Sequence, residues 1–353
     1  MRIVLISCAF GLILMSSFDG KDKLTPYPFP DLKYFPAMPV NVNNRVTVEG
    51  ALLGRYLFYE PVLSADSSMS CASCHKQQYA FSDAPNALSV GLDQSLMLRN
   101  TLPLFNLAWY PAYFWDGRAV SIEDQVFHPV RNYNEMNLDW SVAEKRLKKS
   151  KFYADQFKLV FGSSDIDSVD VSNAIAQFLR TLISYQSEYD RVIAGNGYLD
   201  ADEYQGFVLM NDQVKGDCIH CHTTDGDALG TTLTFSNNGL DAVDSPNAYL
   251  DWGRGAVTGN QMDNGKFKVP SLRNLAYTAP YMHDGRFKTL KEVLDFYSSG
   301  VHPSVNVDTK MEYAYQGGVH LTEIEKHQII AFLLTLSDNS FISNPEFSNP
   351  FTE

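Results

Sequence analysis

Cys71-Ala72-Ser73-Cys74-His75 and Cys218-Ile219-His220-Cys221-His222 decide how this chain must fold. Each reads C-x-x-C-H, the attachment signal for a c-type haem. The spacing follows from the chemistry. Two thiols add across the two vinyl groups of one porphyrin, and the adjacent imidazole turns onto the iron as proximal ligand. Other uses of C-x-x-C are a four-cysteine zinc site, a thioredoxin-like redox pair, and disulfides. A zinc site would leave both histidines unexplained, and the two pairs begin 147 residues apart, long for one zinc module. The pairs use every cysteine except Cys8. The expectation is therefore two covalent haem c groups, anchored by Cys71, Cys74, Cys218 and Cys221 and ligated by His75 and His222.

The rest of the composition is compatible with a globular chain wrapped around such groups. Of 353 residues, 45% are hydrophobic and 20% charged, which excludes a disordered polymer. The net charge of −13 disfavours general nucleic-acid binding. Arg2, the apolar run Ile3 to Met15, and Ser16-Ser17 read as a short secretory signal over residues 1–20. Covalent c-type haem is assembled outside the bacterial cytoplasm, so a periplasmic location is expected. Cys8 follows Leu5-Ile6-Ser7, a faint lipoprotein-like site, but only five apolar residues precede it. A cysteine in a discarded leader is the simpler reading.

The chain contains a duplication. Residues 106–118, Asn-Leu-Ala-Trp-Tyr-Pro-Ala-Tyr-Phe-Trp-Asp-Gly-Arg, align without a gap on residues 274–286, Asn-Leu-Ala-Tyr-Thr-Ala-Pro-Tyr-Met-His-Asp-Gly-Arg, with seven of thirteen positions identical. Each copy precedes a helix start with a hydroxyl at the cap and an acid three residues on: Ser121 with Asp124, and Thr289 with Glu292. Two related haem domains in tandem are the simplest account.

The remaining pattern is mainly helical. Ser141 with Glu144 is expected to start a stretch running to about Phe161. Residues 171–185 carry Ile175, Phe178, Leu179 and Leu182 at helical spacing, and Thr322 with Glu325 caps another helix. No long alternating strand pattern appears. The expected fold class is mainly α: two tandem cytochrome c-like domains, with long loops and little sheet. Residues 21–200 are expected to form the N-terminal domain and 201–345 the C-terminal one. The segments 163–170 and 195–203 are expected as loops, and the tail 346–353 as extended chain.

With these elements placed, the chain resembles the bacterial di-haem cytochrome c peroxidases, including the branch that contains MauG. The matching pieces are both C-x-x-C-H motifs, Phe114-Trp115-Asp116-Gly117-Arg118, Gln125 with Pro129 and Glu135-Met136, Val269-Pro270-Ser271-Leu272-Arg273-Asn274, residues 278–286, and the Ala331-Phe332-Leu333 helix. They span essentially all of 30–345. The resemblance implies that the haem on His75 is peroxidatic and the haem on His222 takes in electrons. Glu135 matches the family's acid-base carboxylate and Gln125 its partner. A carboxylate there would carry a proton from the inner to the outer peroxide oxygen, making water the leaving group. Trp115 matches the tryptophan between the haems. The distal ligand of the second iron is expected to be Met311, with nearby Tyr313 and Tyr315 as the alternative. The resemblance further implies a Ca2+ ion held by the Asn100 side chain and by backbone carbonyls, with Thr278 and Pro280 at the matching positions.

One departure stands out. Many members block the resting peroxidatic iron with a histidine in the loop after the first motif. Here Leu92 falls at that position, and no histidine occurs from 76 to 127. A five-coordinate iron that meets peroxide without prior reduction is the consequence. The implied activity is reduction of hydrogen peroxide to water with electrons from a small donor protein, a cytochrome c or a cupredoxin. MauG-like oxidation of a protein substrate and a non-enzymatic di-haem electron carrier are the alternatives. Homodimers are common in the family.

Overall fold

The computed structural model describes residues 24–223 and 228–352. The expected leader and Cys8 lie outside them. Helices α1 (Val48–Tyr59), α2 (Cys71–Cys74), α3 (Ile122–Arg131), α4 (Trp140–Lys148), α5 (Lys151–Phe161) and α6 (Ser168–Thr181) come first. They are followed by α7 (Glu188–Ile193), α8 (Ala201–Asn211), α9 (Gly255–Thr258), α10 (Leu290–Ser299), α11 (Glu323–Thr335) and α12 (Asn339–Ser343). Among the described residues the sheet is one antiparallel pair, β1 (Phe235–Ser236) with β2 (Phe267–Lys268). The mainly helical expectation holds. No helix among the described residues is long and apolar enough to cross a membrane.

Helix starts follow short polar side chains. Ser121 accepts from the Asp124 N–H at 3.0 Å, and Thr289–Glu292 and Thr322–Glu325 form reciprocal capping boxes on α10 and α11. The stretch expected to run unbroken to Phe161 is two helices. Asp139 rather than Ser141 caps α4, accepting from Ser141 N–H at 2.8 Å, and Ser150 starts α5 anew. Such side chains offer the backbone a local partner and so interrupt a continuous helix. For the same reason the two expected loops are shorter: Asp167 caps α6 and Asp200 caps α8.

The duplication is visible atom by atom. Asn106 and Asn274 both adopt left-handed backbone (φ +54° and +61°), as do Phe114 and Met282 (φ +65° and +74°). The Tyr113 hydroxyl donates to Leu107 O at 3.0 Å, and the Tyr281 hydroxyl to Leu275 O at 2.8 Å. Asp116 and Asp284 each accept the N–H two residues on at 3.1 Å. A second repeat is invisible in the alignment. A Cβ on Gly54 of α1 would stand 1.9 Å from Ala174 O of α6, and one on Gly206 of α8 would stand 1.9 Å from Gln328 O of α11. Each glycine lets two helices touch backbone to backbone.

Two apolar cores result. Leu53, Leu57, Phe58, Phe157, Ile175 and Phe178 belong to the first, and Leu209, Met210, Leu294, Ile329 and Phe332 to the second. The cores exchange segments relative to a linear division at residue 200. Tyr189 packs in the second core, and Phe341 and Phe347 return to the first. Consequently the chain end is not extended. It folds into α12 and a short 3-10 turn, Pro345–Phe347, because burying the two phenylalanines draws it inward. Arg55 fixes it there, donating from Nε to Ser348 O at 2.7 Å and from Nη2 to Pro345 O at 2.9 Å.

Candidate functional site

The first motif is a single helical turn. Ser70 and Ser73 cap it reciprocally, and α2 places Cys71 and Cys74 on one side with His75 just past its end. Ala80 and Phe81 then turn through left-handed backbone (φ +52° and +60°), bringing the Phe81 carbonyl oxygen 2.7 Å from His75 Nδ1. A carbonyl only accepts, so Nδ1 carries the proton and Nε2 keeps its lone pair. Burial also holds the imidazole below its ordinary pKa. A neutral ring with Nε2 free and Nδ1 tied is what a proximal iron ligand requires.

The alternatives for the cysteines do not survive. All four are unbridged. No group of three or more His, Cys, Asp or Glu among the described residues could hold a metal ion, so the two pairs do not meet in a zinc site. Burial pushes Cys71 up to about 12 and Cys74 up to about 11, and Cys218 up to about 12. A redox-active C-x-x-C pair needs a thiol held low instead.

Glu135 lies in the turn after α3. Its N–H donates to Asn132 O at 3.0 Å, and Asn132 Nδ2 donates to its Oε1 at 2.9 Å. Burial raises the carboxyl above the usual range, while Asn132 and Arg118 pull the other way. Its charge contributes to the raised pKa of both Cys71 and Cys74, so the carboxylate is within electrostatic reach of the thiol pair. The loop carrying Leu92 packs directly on this turn. Leu92 N–H donates to Glu135 O at 3.1 Å, and a Cβ on Gly91 would stand 1.6 Å from Asn134 O. Gln125 is half-buried on α3, one turn before Pro129, and no hydrogen bond joins its side chain to Glu135.

The second motif opens onto a cavity of about 250 Å³, far larger than the water-sized voids of a close-packed core. Cys218, Cys221, His222 and Met311 line it, together with Asn100, Trp115, Thr278, Pro280 and His283 from the inter-domain side. His222 Nδ1 is 3.4 Å from Gly230 O, and burial lowers the ring to about 4, again leaving a neutral imidazole. Tyr313 donates its hydroxyl to Gln213 O at 2.9 Å, and Tyr315 is 84% exposed. Of the candidate distal ligands, Met311 is therefore the one that lines the cavity without another engagement of its donor atom. Met282 also lines the cavity, where its sulfur accepts from Asn238 Nδ2 at 3.7 Å.

Between the motifs, Trp115 Nε1 donates to Asn100 O at 2.8 Å. His283 stacks on Phe267 at 3.7 Å and meets Trp115 edge-on at 6.5 Å. Arg99, which carries no motif signal, clasps the region: it binds Asp251 through two nitrogens, at 2.7 and 2.8 Å, and Asp116 at 2.6 Å. Asn100 also donates from Nδ2 to Ala87 O at 2.9 Å, which leaves its side-chain oxygen, Oδ1, for a hard cation. The duplicated arginines turn back on their own motifs. Arg118 binds Asp116 and covers the Phe114 ring, and Arg286 binds Asp284 and Asp241.

A haem suits these surroundings. The thiols and neutral imidazoles supply the covalent and iron-binding groups. Arg273 Nε, a buried donor with no partner in the protein, and the buried Lys268 both line the second cavity, where the carboxylates of a porphyrin need cations.

Comparison with known proteins agrees. The family model for di-haem cytochrome c peroxidases matches residues 48–197. The chain is 32% identical to the methylamine utilization protein MauG of Methylophilus methylotrophus, over 85% of this chain and 86% of that protein. It is 32% identical to the cytochrome c551 peroxidase of Nitrosomonas europaea, over 89% and 86%. A solved MauG-like protein associated with microbial copper homeostasis superposes with a TM-score of 0.84 at 32% identity, covering 92% of this chain and 99% of that one. Likeness of this depth along nearly the whole of both chains, on a fold with two haem-attachment motifs, establishes that this protein belongs to the di-haem cytochrome c peroxidase family and is an enzyme of the peroxidase class.

Proposed function

We propose that the enzyme reduces hydrogen peroxide to two molecules of water in the periplasm. Two electrons come from a small donor protein, a cytochrome c or a cupredoxin, and two protons come from solvent. The observation that carries this reading is the Glu135 carboxylate. It is raised by burial, held by Asn132, and stands within electrostatic reach of the thiols that anchor the first haem. When bound, each haem c supplies an iron centre that exchanges electrons one at a time.

The chain's own residues divide the remaining work. His75 and His222 present Nε2 to the irons. Glu135 takes a proton from one peroxide oxygen and returns it to the other, so that water departs. Gln125 assists from α3. The Leu92 loop contributes no ligand that would bar peroxide. Met311 would hold the iron of the C-terminal haem through its sulfur, a ligand that would raise the potential and suit electron entry. Trp115 relays the electron across the gap between the two sites. Asn100, through its side chain, and the carbonyls of Thr278 and Pro280 would hold a calcium ion that would steady that gap.

The test uses the protein matured with its haems. Steady-state peroxide consumption with a reduced small cytochrome c should be rapid, and the oxidised enzyme should change its spectrum on mixing with peroxide alone. Absence of peroxide consumption with any cytochrome or cupredoxin donor would overturn this reading, and a spectral response of the oxidised enzyme to peroxide would then favour MauG-like oxidation of a protein substrate.

A further inference from the structure

Lys268 is a buried lysine without a counter-ion. It is 6% exposed, and no carboxylate of the described residues lies within 4.0 Å of its ammonium. A second buried lysine among the described residues, Lys326, is held by Asp295 at 2.6 Å and Glu323 at 2.9 Å. What Lys268 does have is an aromatic face: its Nζ stands 4.4 Å from the centre of the Tyr110 ring. Its backbone N–H donates to Trp115 O at 2.8 Å, which fixes it on β2 beside the inter-domain tryptophan.

Nearby charges do not neutralise it. Asp116 is the carboxylate that acts on Lys268, but its oxygens already receive Arg99 at 2.6 Å and Arg118 at 3.0 Å. Burial draws the ammonium down to about 8 despite Asp116. Arg273, at the far end of the same segment, is no equivalent free charge, because Asp190 pairs with its two terminal nitrogens. An unpaired ammonium in an apolar wall is costly unless something negative arrives. Lys268 lines the cavity that Cys218, Cys221 and His222 open onto. A haem in that cavity brings two propionate carboxylates, which carry the mirror-image cost.

We infer that Lys268 is the counter-ion of a propionate of the C-terminal haem and, through it, a determinant of that haem's potential. The inference rests on the haem reading above. A positive charge near the iron favours the reduced state and raises the potential, which suits the centre that takes in electrons. Its place on β2 beside Trp115 puts this control on the side from which electrons leave.

The experiment compares the matured wild type with Lys268→Met, Lys268→Gln and Lys268→Arg. Haem is counted first, as the pyridine haemochrome. Fewer than two haems per chain in the wild type would remove the underlying reading, and the inference with it. With two haems per chain, a spectroelectrochemical titration resolves the two midpoints. In the Met and Gln variants the C-terminal haem should become at least tenfold harder to reduce, a fall of about 59 mV for one electron. The N-terminal midpoint should stay put, and Lys268→Arg should keep the wild-type value. If Lys268→Met fails to fold, Lys268→Gln, polar and of similar length, carries the test. An unmoved C-terminal midpoint in the neutral variants would overturn the inference. So would an equal fall at both haems, or a fall in Lys268→Arg as large as in Lys268→Met, because either would mark a packing effect rather than a charge.

Discussion

Trp115 is hung from Asn100: its indole N–H donates to the Asn100 carbonyl oxygen at 2.8 Å, and the Asn100 N–H donates in turn to His283 O at 2.7 Å. One residue thus ties the inter-domain tryptophan to the loop of the second repeat. It is also the residue whose side chain is proposed to hold calcium. A cation held there would share its support with the tryptophan.

Trp115→Phe keeps a ring but loses both the indole and its bond. We expect two haems per chain and an unchanged spectral response of the oxidised enzyme to peroxide. Turnover with reduced donor should drop by about tenfold or more, ~1.4 kcal/mol on the barrier. Equal losses in both assays would mean that Trp115 serves the peroxide site rather than transfer between sites. Chelation of calcium should produce a milder version of the same split, restored by adding the cation back.

Glu135→Gln removes the proton carrier while keeping a similar shape. Turnover should fall by roughly 10²-fold or more, the usual contribution of general acid–base catalysis. The pH profile is the finer check. Burial holds this carboxyl above the usual range, and the proposed role requires its ionised form. Activity should therefore fall as pH drops through that raised value, at higher pH than an exposed glutamate would give. The variant should lack this acid limb. For stability the sign is reversed: a carboxyl raised on folding favours the native state at low pH, and that contribution fades as pH rises through the folded-state value.

Much of this was legible in the sequence because haem attachment is covalent. The chemistry demands two thiols and a histidine at one spacing, so no tertiary context could disguise it. The thirteen-residue repeat was equally visible, since its left-handed positions at Asn106, Phe114 and Gly117 restrict what can replace them. Three features were not. Helix α1 is capped by Thr47, without the acid three residues on that marks α10 and α11. The return of Phe341 and Phe347 to the first core depends on contacts nearly three hundred positions distant in sequence, such as Arg55 to Ser348. Arg99 and Lys268 act through partners in the other half of the chain or through a cofactor, and neither leaves a local pattern.

Leu92→His tests the departure from the wider family. As isolated, the wild-type oxidised enzyme should show a high-spin, five-coordinate signature alongside a low-spin one. The variant offers an imidazole from a loop already held against Glu135 by the Leu92 N–H. It should convert the high-spin signal to low-spin, and its reaction with peroxide should then require a reductant. Electron paramagnetic resonance of the oxidised proteins reads the first effect, and stopped-flow mixing the second. A wild-type spectrum that is low-spin at both irons would show that another residue fills the position.

The paired glycines Gly54 and Gly206 predict where the fold is least tolerant. At Gly54 a methyl group would meet Ala174 O at 1.9 Å and Phe178 Cβ at 2.9 Å; at Gly206 it would meet Gln328 O at 1.9 Å and Phe332 Cβ at 2.9 Å. Both obstacles are backbone or the root of a core side chain, so neither can swing aside. In an ordinary helix, Gly→Ala stabilises by up to about 1 kcal/mol. Here the helices must separate, and overpacking of this kind costs about 1–3 kcal/mol. The net sign is therefore destabilising, which a propensity argument alone would get backwards. Gly54→Ala should lower the melting temperature through the first core and disturb the His75 haem spectrum first. Gly206→Ala should act through the second core and disturb the His222 haem first. Thermal melts followed at each haem's own absorbance separate the two, and a rise in melting temperature for either variant would refute the close-contact account of that helix pair.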